Sequence, residues 1–301
     1  MRPRALRRAV LIALSVGGLA PDAMAAQRAA PGAAMTPARF VAQAREGTRR
    51  YRSQEAAIAD GFKRVGVEFP AMGEHWVSLQ RVMEDSLVPT RPAVLIYVNV
   101  DGAPRLAGVA YTALLHGGEQ PPAFPSADAW HEHNGLVEEE SLPLGHHATP
   151  APAAPAGEDA APRFSILHAW VWTPNPDGVF VTDNRSLPLV RLGVAPPAAG
   201  RAADSRDAVN ALALATDVEA YHLLMLRTSL GLSAPEEAAA ARVLADHGGR
   251  AAREVGAVRR ARRLTAPDSA RLAALWGALW VDLERALPGR ASELRALRRQ
   301  L

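Results

Sequence analysis

Four of the nine histidines stand in contexts that suit chemistry. Imidazole binds zinc, copper, iron and nickel, and carboxylates commonly complete such sites. The sequence therefore predicts a histidine-centred site for zinc or another transition metal. The candidate ligands are His75, His131, His133 and His168, with Glu74 or Glu138 as an oxygen ligand.

Two of these histidines are separated by a single residue. On extended chain the rings of His131 and His133 would project to the same side, whereas on a helix they would diverge. His168 has an alternative role as a core histidine that donates a hydrogen bond to a backbone carbonyl. Acid–base chemistry is a further alternative, because burial of His168, or of His75 beside Glu74, would shift its pKa.

The segment around His168 predicts a buried strand. Aromatic and aliphatic residues alternate in Phe164–Trp172, which is the period of a strand. Pro174 and the Asp177-Gly178 pair then favour a turn. Two earlier strands are predicted over 93–100 and 105–114, joined by an Asp101-Gly102 hairpin turn. The segment around His168 is the natural third strand, and 184–193 is predicted to add a short fourth.

Helices are predicted on both sides of this sheet. Apolar spacing indicates a helix over 37–64 with a break at Gly47, followed by a loop over 65–77. After residue 205 the pattern is helical almost throughout, and short loops between such helices favour antiparallel packing. The predicted helices cover 206–230, 234–246, 251–264 and 267–287, with Gly248-Gly249 as a break.

The predicted fold is α+β: a small antiparallel sheet packed with an N-terminal helix, followed by an all-α helical bundle. The predicted organisation is a signal peptide (1–25), a flexible lead-in (26–35), an α+β core domain (36–195) with a mobile insertion (116–162), a linker (196–204) and the bundle (205–301).

The N-terminus has the pattern of a secretory signal peptide. Four arginines precede an apolar stretch over 9–19 that is too short to span a bilayer stably. Ala23-Met24-Ala25 fits a small-x-small cleavage site. We therefore expect cleavage after Ala25, a periplasmic or secreted location, and no transmembrane span in the mature chain.

Composition excludes several classes of site. The chain of 301 residues has no cysteine, which excludes disulfides, thiolate metal sites and a cysteine nucleophile. It also lacks a Gly-x-Ser-x-Gly elbow, a P-loop and a dinucleotide-binding glycine motif. The arginine run over 259–263 could meet anionic lipid or nucleic acid, but it is interpreted as a solvated helix face, because no aromatic residues accompany it and export argues against nucleic acid.

The middle of the chain resembles a family of uncharacterised bacterial exported proteins. The resemblance is carried by MGEHWV (72–77), by VPTRPAVLIYVNVDGAPRLAGVAY (88–111) and by LHAWVWTPNPDGVF (167–180). In this sequence Val88-Pro89 replaces the Asp-Pro of the family pattern. The resemblance covers about 66–193 and implies no particular activity. It implies that His75 and His168 belong to one motif set.

These observations leave three functional hypotheses. The leading one is an exported protein that binds a transition metal in a histidine-centred pocket, with His75 and His168 as its core. The alternative is a non-catalytic interaction module in which histidines and tryptophans are structural and the C-terminal helices dock a protein partner. The third is a metal-dependent hydrolase or oxidoreductase, so whether the protein is an enzyme stays open.

Overall fold

The computed structural model describes residues 35–84, 86–116, 119–126, 129–133, 163–195, 206–216 and 220–300. Within these ranges the chain has an α+β fold with an antiparallel sheet and packed C-terminal helices, which confirms the predicted fold class. The predicted signal peptide, its cleavage site, the linker and most of the insertion lie outside the described residues.

Six described strands form one antiparallel sheet in the order β1-β2-β3-β4-β6-β5. Their bounds are β1 (Lys63–Phe69), β2 (Gly73–Val77), β3 (Val94–Val100), β4 (Ala103–Leu115), β5 (Trp130–His133) and β6 (Arg163–Ala169). The predicted hairpin is confirmed: Asp101 and Gly102 both have positive φ, as a tight two-residue turn between β3 and β4 requires. The predicted third strand is β6, which pairs with β4 and ends at Ala169.

Nine α-helices are described. Those of the sheet half are α1 (Pro37–Thr48), α2 (Gln54–Ala59), α3 (Leu79–Met83) and α4 (Leu187–Arg191). Those of the C-terminal half are α5 (Arg206–Ala215), α6 (Tyr221–Leu230), α7 (Ala234–Ala261), α8 (Ala266–Ala286) and α9 (Ala291–Gln300). No helix in the described part of the chain combines the length and apolar character needed to cross a membrane.

The two faces of the sheet are covered by different helices. Tyr97 and Tyr111 belong to a buried cluster with Phe40 of α1. On the other face Ile96 is clustered with Val82 of α3. Strand β3 therefore supplies core residues to both faces, which explains its run of apolar side chains from Val94 to Val98.

The C-terminal helices share a core with one end of the sheet. Phe69 and Met72, at the turn between β1 and β2, belong to the same buried cluster as Leu212 of α5 and Trp276 of α8. The described residues from Met35 onward belong to one compact unit. The helical region thus packs against the β1–β2 turn.

Two predictions in the sheet half were wrong. Residues 65–77 form most of β1 and all of β2, because Pro70 lies in a tight turn closed by the Met72 N–H on the Phe69 carbonyl at 3.1 Å. Residues 184–193 contain α4 instead of a strand. The side-chain oxygen of Asn184 accepts the Ser186 N–H at 2.9 Å, a local turn that starts a helix.

The helix boundaries differ in the C-terminal half. The helix predicted over 206–230 is two helices: α5 ends at Ala215, and Ala220 precedes α6 with a φ of 54°. The break predicted at Gly248-Gly249 is absent from the described helix α7, which runs through both glycines. Near the N-terminus, the helix predicted over 37–64 is interrupted one residue after Gly47, since α1 ends at Thr48 and α2 begins at Gln54. Its predicted end was wrong, because residues 63 and 64 begin β1.

Candidate functional site

His75 and His168 come together through the curvature of the sheet. They lie on β2 and β6, with β3 and β4 between them. Three strand spacings would separate them by about 14 Å in a flat sheet. Their ring centroids are 5.6 Å apart, with the ring planes inclined by 40°. The sheet therefore curls, and these two side chains meet on its concave side.

His168 is held in one orientation by backbone. Its side chain is 1% exposed, and Nδ1 donates a hydrogen bond to the carbonyl oxygen of Thr182 at 2.7 Å. Because a carbonyl only accepts, the proton of the neutral ring lies on Nδ1, and Nε2 is its acceptor nitrogen. Burial lowers the pKa of His168, opposed by this hydrogen bond and by the charge of Asp183. The ring is therefore neutral at pH 7.

His131 extends the pair into a row of three imidazoles. Its ring lies on β5, 5.0 Å from the His168 ring between centroids and inclined by 86°. The hydroxyl of Thr182 is in hydrogen-bond contact with Nδ1 of His131 at 3.4 Å. Thr182 thus contacts both rings, one through its backbone and one through its side chain. His133 lies on the same extended strand, where its backbone pairs with Phe164.

Glu74 is held away from these rings. Its carboxylate accepts from the Asn99 side chain at 2.8 Å and from the Trp76 indole at 3.2 Å. Arg64 lies 3.7 Å from the same carboxylate. Neighbouring strand residues point to opposite faces, so Glu74 cannot share a face with His75. The structure brings together His75, His131 and His168 and places Glu74 elsewhere, while Glu138 lies outside the described residues.

The arrangement is not a preformed metal centre. Among the described side chains, no group of three or more His, Asp or Glu is placed so that it could hold a metal ion. The rings of His75 and His131 each contact the His168 ring, but the three are not arranged around one point at ligand distance. A metal ion shared by these histidines would require some of the rings to turn.

A cavity of about 450 Å³ adjoins the paired histidines. Six aliphatic and aromatic side chains line it, namely Val65, Phe69, Val77, Leu79, Val94 and Ile166. The polar side chains of the lining are the two histidines His75 and His168, the buried Ser78 and the half-buried Asp60, with the exposed Lys63 and Gln80. The cavity therefore combines an apolar wall with a few polar groups, two of them imidazoles, which is the usual composition of a small-molecule site.

Two residues of this site carry no sequence motif. Phe69 contacts the His75 ring edge-on, with centroids 5.6 Å apart, and Thr182 contacts His131 and His168. The predicted turn over 174–178 gives a partial signal for Thr182. It reverses the chain, so that the Val179 and Val181 carbonyls accept hydrogen bonds from Trp170. Phe69 has no such signal, since the sequence predicts a loop for the strand that contains it.

No known family, curated protein or solved structure matches the chain. The resemblance described above therefore stays a prediction, and the site has to be interpreted from its own geometry.

Proposed function

We propose that the protein is an exported binding protein that takes a small organic molecule into the histidine-lined cavity. One observation carries the proposal: a largely apolar cavity of about 450 Å³ is also lined by a few polar groups, namely the rings of His75 and His168, the buried Ser78 and the half-buried Asp60. Pockets for small molecules usually combine apolar walls with a few fixed polar groups that orient the ligand.

The chemistry of the rings specifies the polar end of the ligand. His168 is neutral, and its Nε2 is an acceptor because Nδ1 donates to Thr182. A hydroxyl or amide N–H would therefore be recognised better than a carboxylate. The apolar body of the ligand would contact Val77, Val94 and Ile166. The proposed ligand is thus an apolar molecule with one neutral hydrogen-bond donor.

Matched probes test this assignment. We expect 4-propylphenol to bind about fivefold to tenfold more tightly than propylbenzene, which lacks the donor, as observed by NMR titration. Val77→Phe should fill the cavity and abolish binding. Val281→Phe is the control, because Val281 is exposed on α8. Equal affinities for the two probes, or full binding by a folded Val77→Phe protein, would contradict the proposal.

A transition metal is the second candidate occupant, favoured by the spacing of the rings. Two imidazoles that bind one tetrahedral ion at about 2 Å have centroids roughly 5 Å apart. The His131–His168 and His75–His168 pairs have spacings of 5.0 and 5.6 Å. The Nδ1 donation from His168 to a carbonyl is also the contact that orients histidine ligands in metal sites.

Elemental analysis of untagged protein, dialysed after incubation with zinc, tests this candidate. Stoichiometric zinc in the wild type, lost in His75→Ala and His168→Ala and kept in His116→Ala, would support it. His116 is an exposed control. Zinc retained by both cavity variants would exclude these histidines as ligands.

Export is tested independently of the cavity. The basic and apolar N-terminal segment and the Ala23-Met24-Ala25 sequence support a cleaved signal peptide. N-terminal sequencing of protein from the periplasm or medium should begin at Ala26. A chain that keeps its N-terminus and stays in the cytoplasmic fraction would contradict export.

A further inference from the structure

A second cavity, of about 340 Å³, lies where the C-terminal helices meet the turn between β1 and β2. Its apolar lining includes Met72 from the turn, Tyr221 and Met225 from α6, and Trp276 from α8. Methionine side chains adapt to irregular shapes and make favourable contacts with aromatic rings. This wall is suited to a flat aromatic body.

The rim of this cavity carries charges from two elements. Asp177 and Arg185, both in the loop after β6, are paired with each other through two hydrogen bonds. Arg206, the first residue of α5, also lines the cavity and is exposed. The pKa of Asp177 is lowered by its hydrogen bond with Arg185 and also by the charges of Arg185 and Arg206. Arg206 makes no ion pair with any residue that the structure describes.

From this combination we propose that the second cavity binds an aromatic carboxylate. The aromatic body contacts Met72, Met225 and Trp276, and the carboxylate pairs with the guanidinium of Arg206. Asn210, one helical turn further along α5, lines the same cavity. The partial positive charge at the start of α5 adds to the attraction.

Two features define what the site should reject. Asp183 also lines the cavity, so a ligand with two negative charges is disfavoured by its carboxylate. An aromatic amine is the competing ligand class, because it could pair with Asp183 instead of Arg206. The proposal therefore requires the order acid, then amide, then amine for one and the same aromatic body.

The second cavity is separate from the histidine-lined one, although Phe69 lines both. The Phe69 ring contacts His75 on one side and Tyr221 on the other, with centroid distances of 5.6 and 5.7 Å. Filling the first cavity with Val77→Phe should therefore leave binding to the second one intact. The two proposals can fail independently of each other.

The test uses the full chain and three probes: 3-phenylpropionate, 3-phenylpropionamide and 3-phenylpropylamine. Quenching of tryptophan fluorescence and calorimetry should show the carboxylate binding at least fivefold more tightly than the amide, with the amine weakest. Arg206→Gln should weaken carboxylate binding about fivefold without affecting the amide, while Arg260→Gln, an exposed arginine on α7, should leave all three unchanged.

Met225→Trp fills the apolar part and should abolish binding of all three probes. Since this variant changes the core, the exposed Arg206→Gln substitution provides the decisive comparison. Binding of the amine in preference to the acid, equal binding of acid and amide, or no binding of any probe would overturn the proposal.

Discussion

The Nδ1 atom of His168 lies 2.7 Å from the carbonyl oxygen of Thr182, fourteen residues further along the chain. This contact fixes the tautomer of a histidine that is buried in the sheet. Because burial lowers the pKa of His168, the folded protein binds a proton there less readily than the unfolded chain does. The stability of the fold should therefore depend on pH through this residue.

We expect the His168 contribution to stability to be complete above about pH 6.5 and to fall as the pH decreases below it. Between the folded and unfolded pKa values the unfolded chain binds more protons, so each pH unit removes up to about 1.4 kcal/mol. Urea unfolding from pH 7.5 to 5.0 should show a smaller decrease for His168→Gln than for the wild type. The exposed His116→Gln is the control, and an unchanged slope in His168→Gln would contradict this role.

Replacing the same residue by alanine tests its packing. His168 is 1% exposed and contacts the rings of His75, His131 and Trp170. His168→Ala leaves a cavity and an unpaired Thr182 carbonyl, with an expected loss of about 2–4 kcal/mol of unfolding free energy. Urea unfolding at pH 7.5 measures it. A loss below about 1 kcal/mol would show that the ring contributes little to the fold.

The central hairpin and β6 could be predicted because their signals are local. β3 and β4 flank an Asp-Gly turn, and β6 alternates in period two. β1 and β2 could not, because Gly66, Pro70 and Gly73 are residues that favour loops. The position of β2 beside β3 also depends on a close approach between the Gly73 and Tyr97 backbones, which neither spacing nor propensity reveals.

This close approach makes Gly73 sensitive to substitution. Its φ is +71°, and a Cβ atom there would lie 2.3 Å from the Tyr97 carbonyl oxygen. Gly102 has a similar φ of +79°, with nothing within 4 Å of its Cβ position. Gly102→Ala should cost only about 1 kcal/mol, from backbone strain. Gly73→Ala should lower the unfolding free energy clearly more, as measured by chemical denaturation. Equal losses in the two variants would contradict the steric argument.

The residues of the candidate site could be predicted from the sequence, but their relative positions could not. The sequence indicates His75, His131 and His168, but their convergence depends on how strongly the sheet curls. A register shift between β3 and β4 at Ile96 and Tyr97 accompanies this curvature, and such irregularities bend a strand. Local patterns do not determine where such a shift falls, so the distances between the rings could not be derived from them.

A buried ion pair connects the sheet to α4. Glu68 and Arg191 form a salt bridge with side chains only 2% and 9% exposed, and Arg191 also donates to the Thr216 carbonyl at 3.1 Å. Burial raises the pKa of Glu68, and the charge of Arg191 opposes that rise. Arg191→Met removes the compensating charge and should lower the unfolding free energy by roughly 3–5 kcal/mol at pH 7.

The pH dependence and a second substitution, at Glu68, test whether Glu68 and Arg191 are energetically coupled. A carboxyl whose pKa is raised by folding makes the fold less stable as the pH rises above its pKa in the unfolded chain, about 4.3. The loss of unfolding free energy in Arg191→Met should therefore be smaller at pH 5 than at pH 7. Adding Glu68→Gln should recover much of the loss at pH 7. Urea unfolding of the single and double variants measures this coupling, and strictly additive losses would contradict it.

The glycine pair inside α7 leads to a prediction of increased stability. Gly248 and Gly249 were expected to end a helix, yet α7 continues because Leu244, His247, Ala251 and Val255 bury one face of it. His247 also contacts Asp282 of α8 at 2.9 Å. Tertiary packing therefore outweighs a propensity cost of about 1 kcal/mol per glycine.

Gly249 is exposed and a Cβ atom there would meet nothing within 4 Å. Gly249→Ala should raise the unfolding free energy by about 0.5–1 kcal/mol, because alanine loses less backbone entropy on entering a helix. The reverse change at an exposed site of the same helix, Ala238→Gly, should lower it by a similar amount. Thermal and urea unfolding of both variants measure the pair, and a loss of stability in Gly249→Ala would show that α7 needs the glycine for another reason.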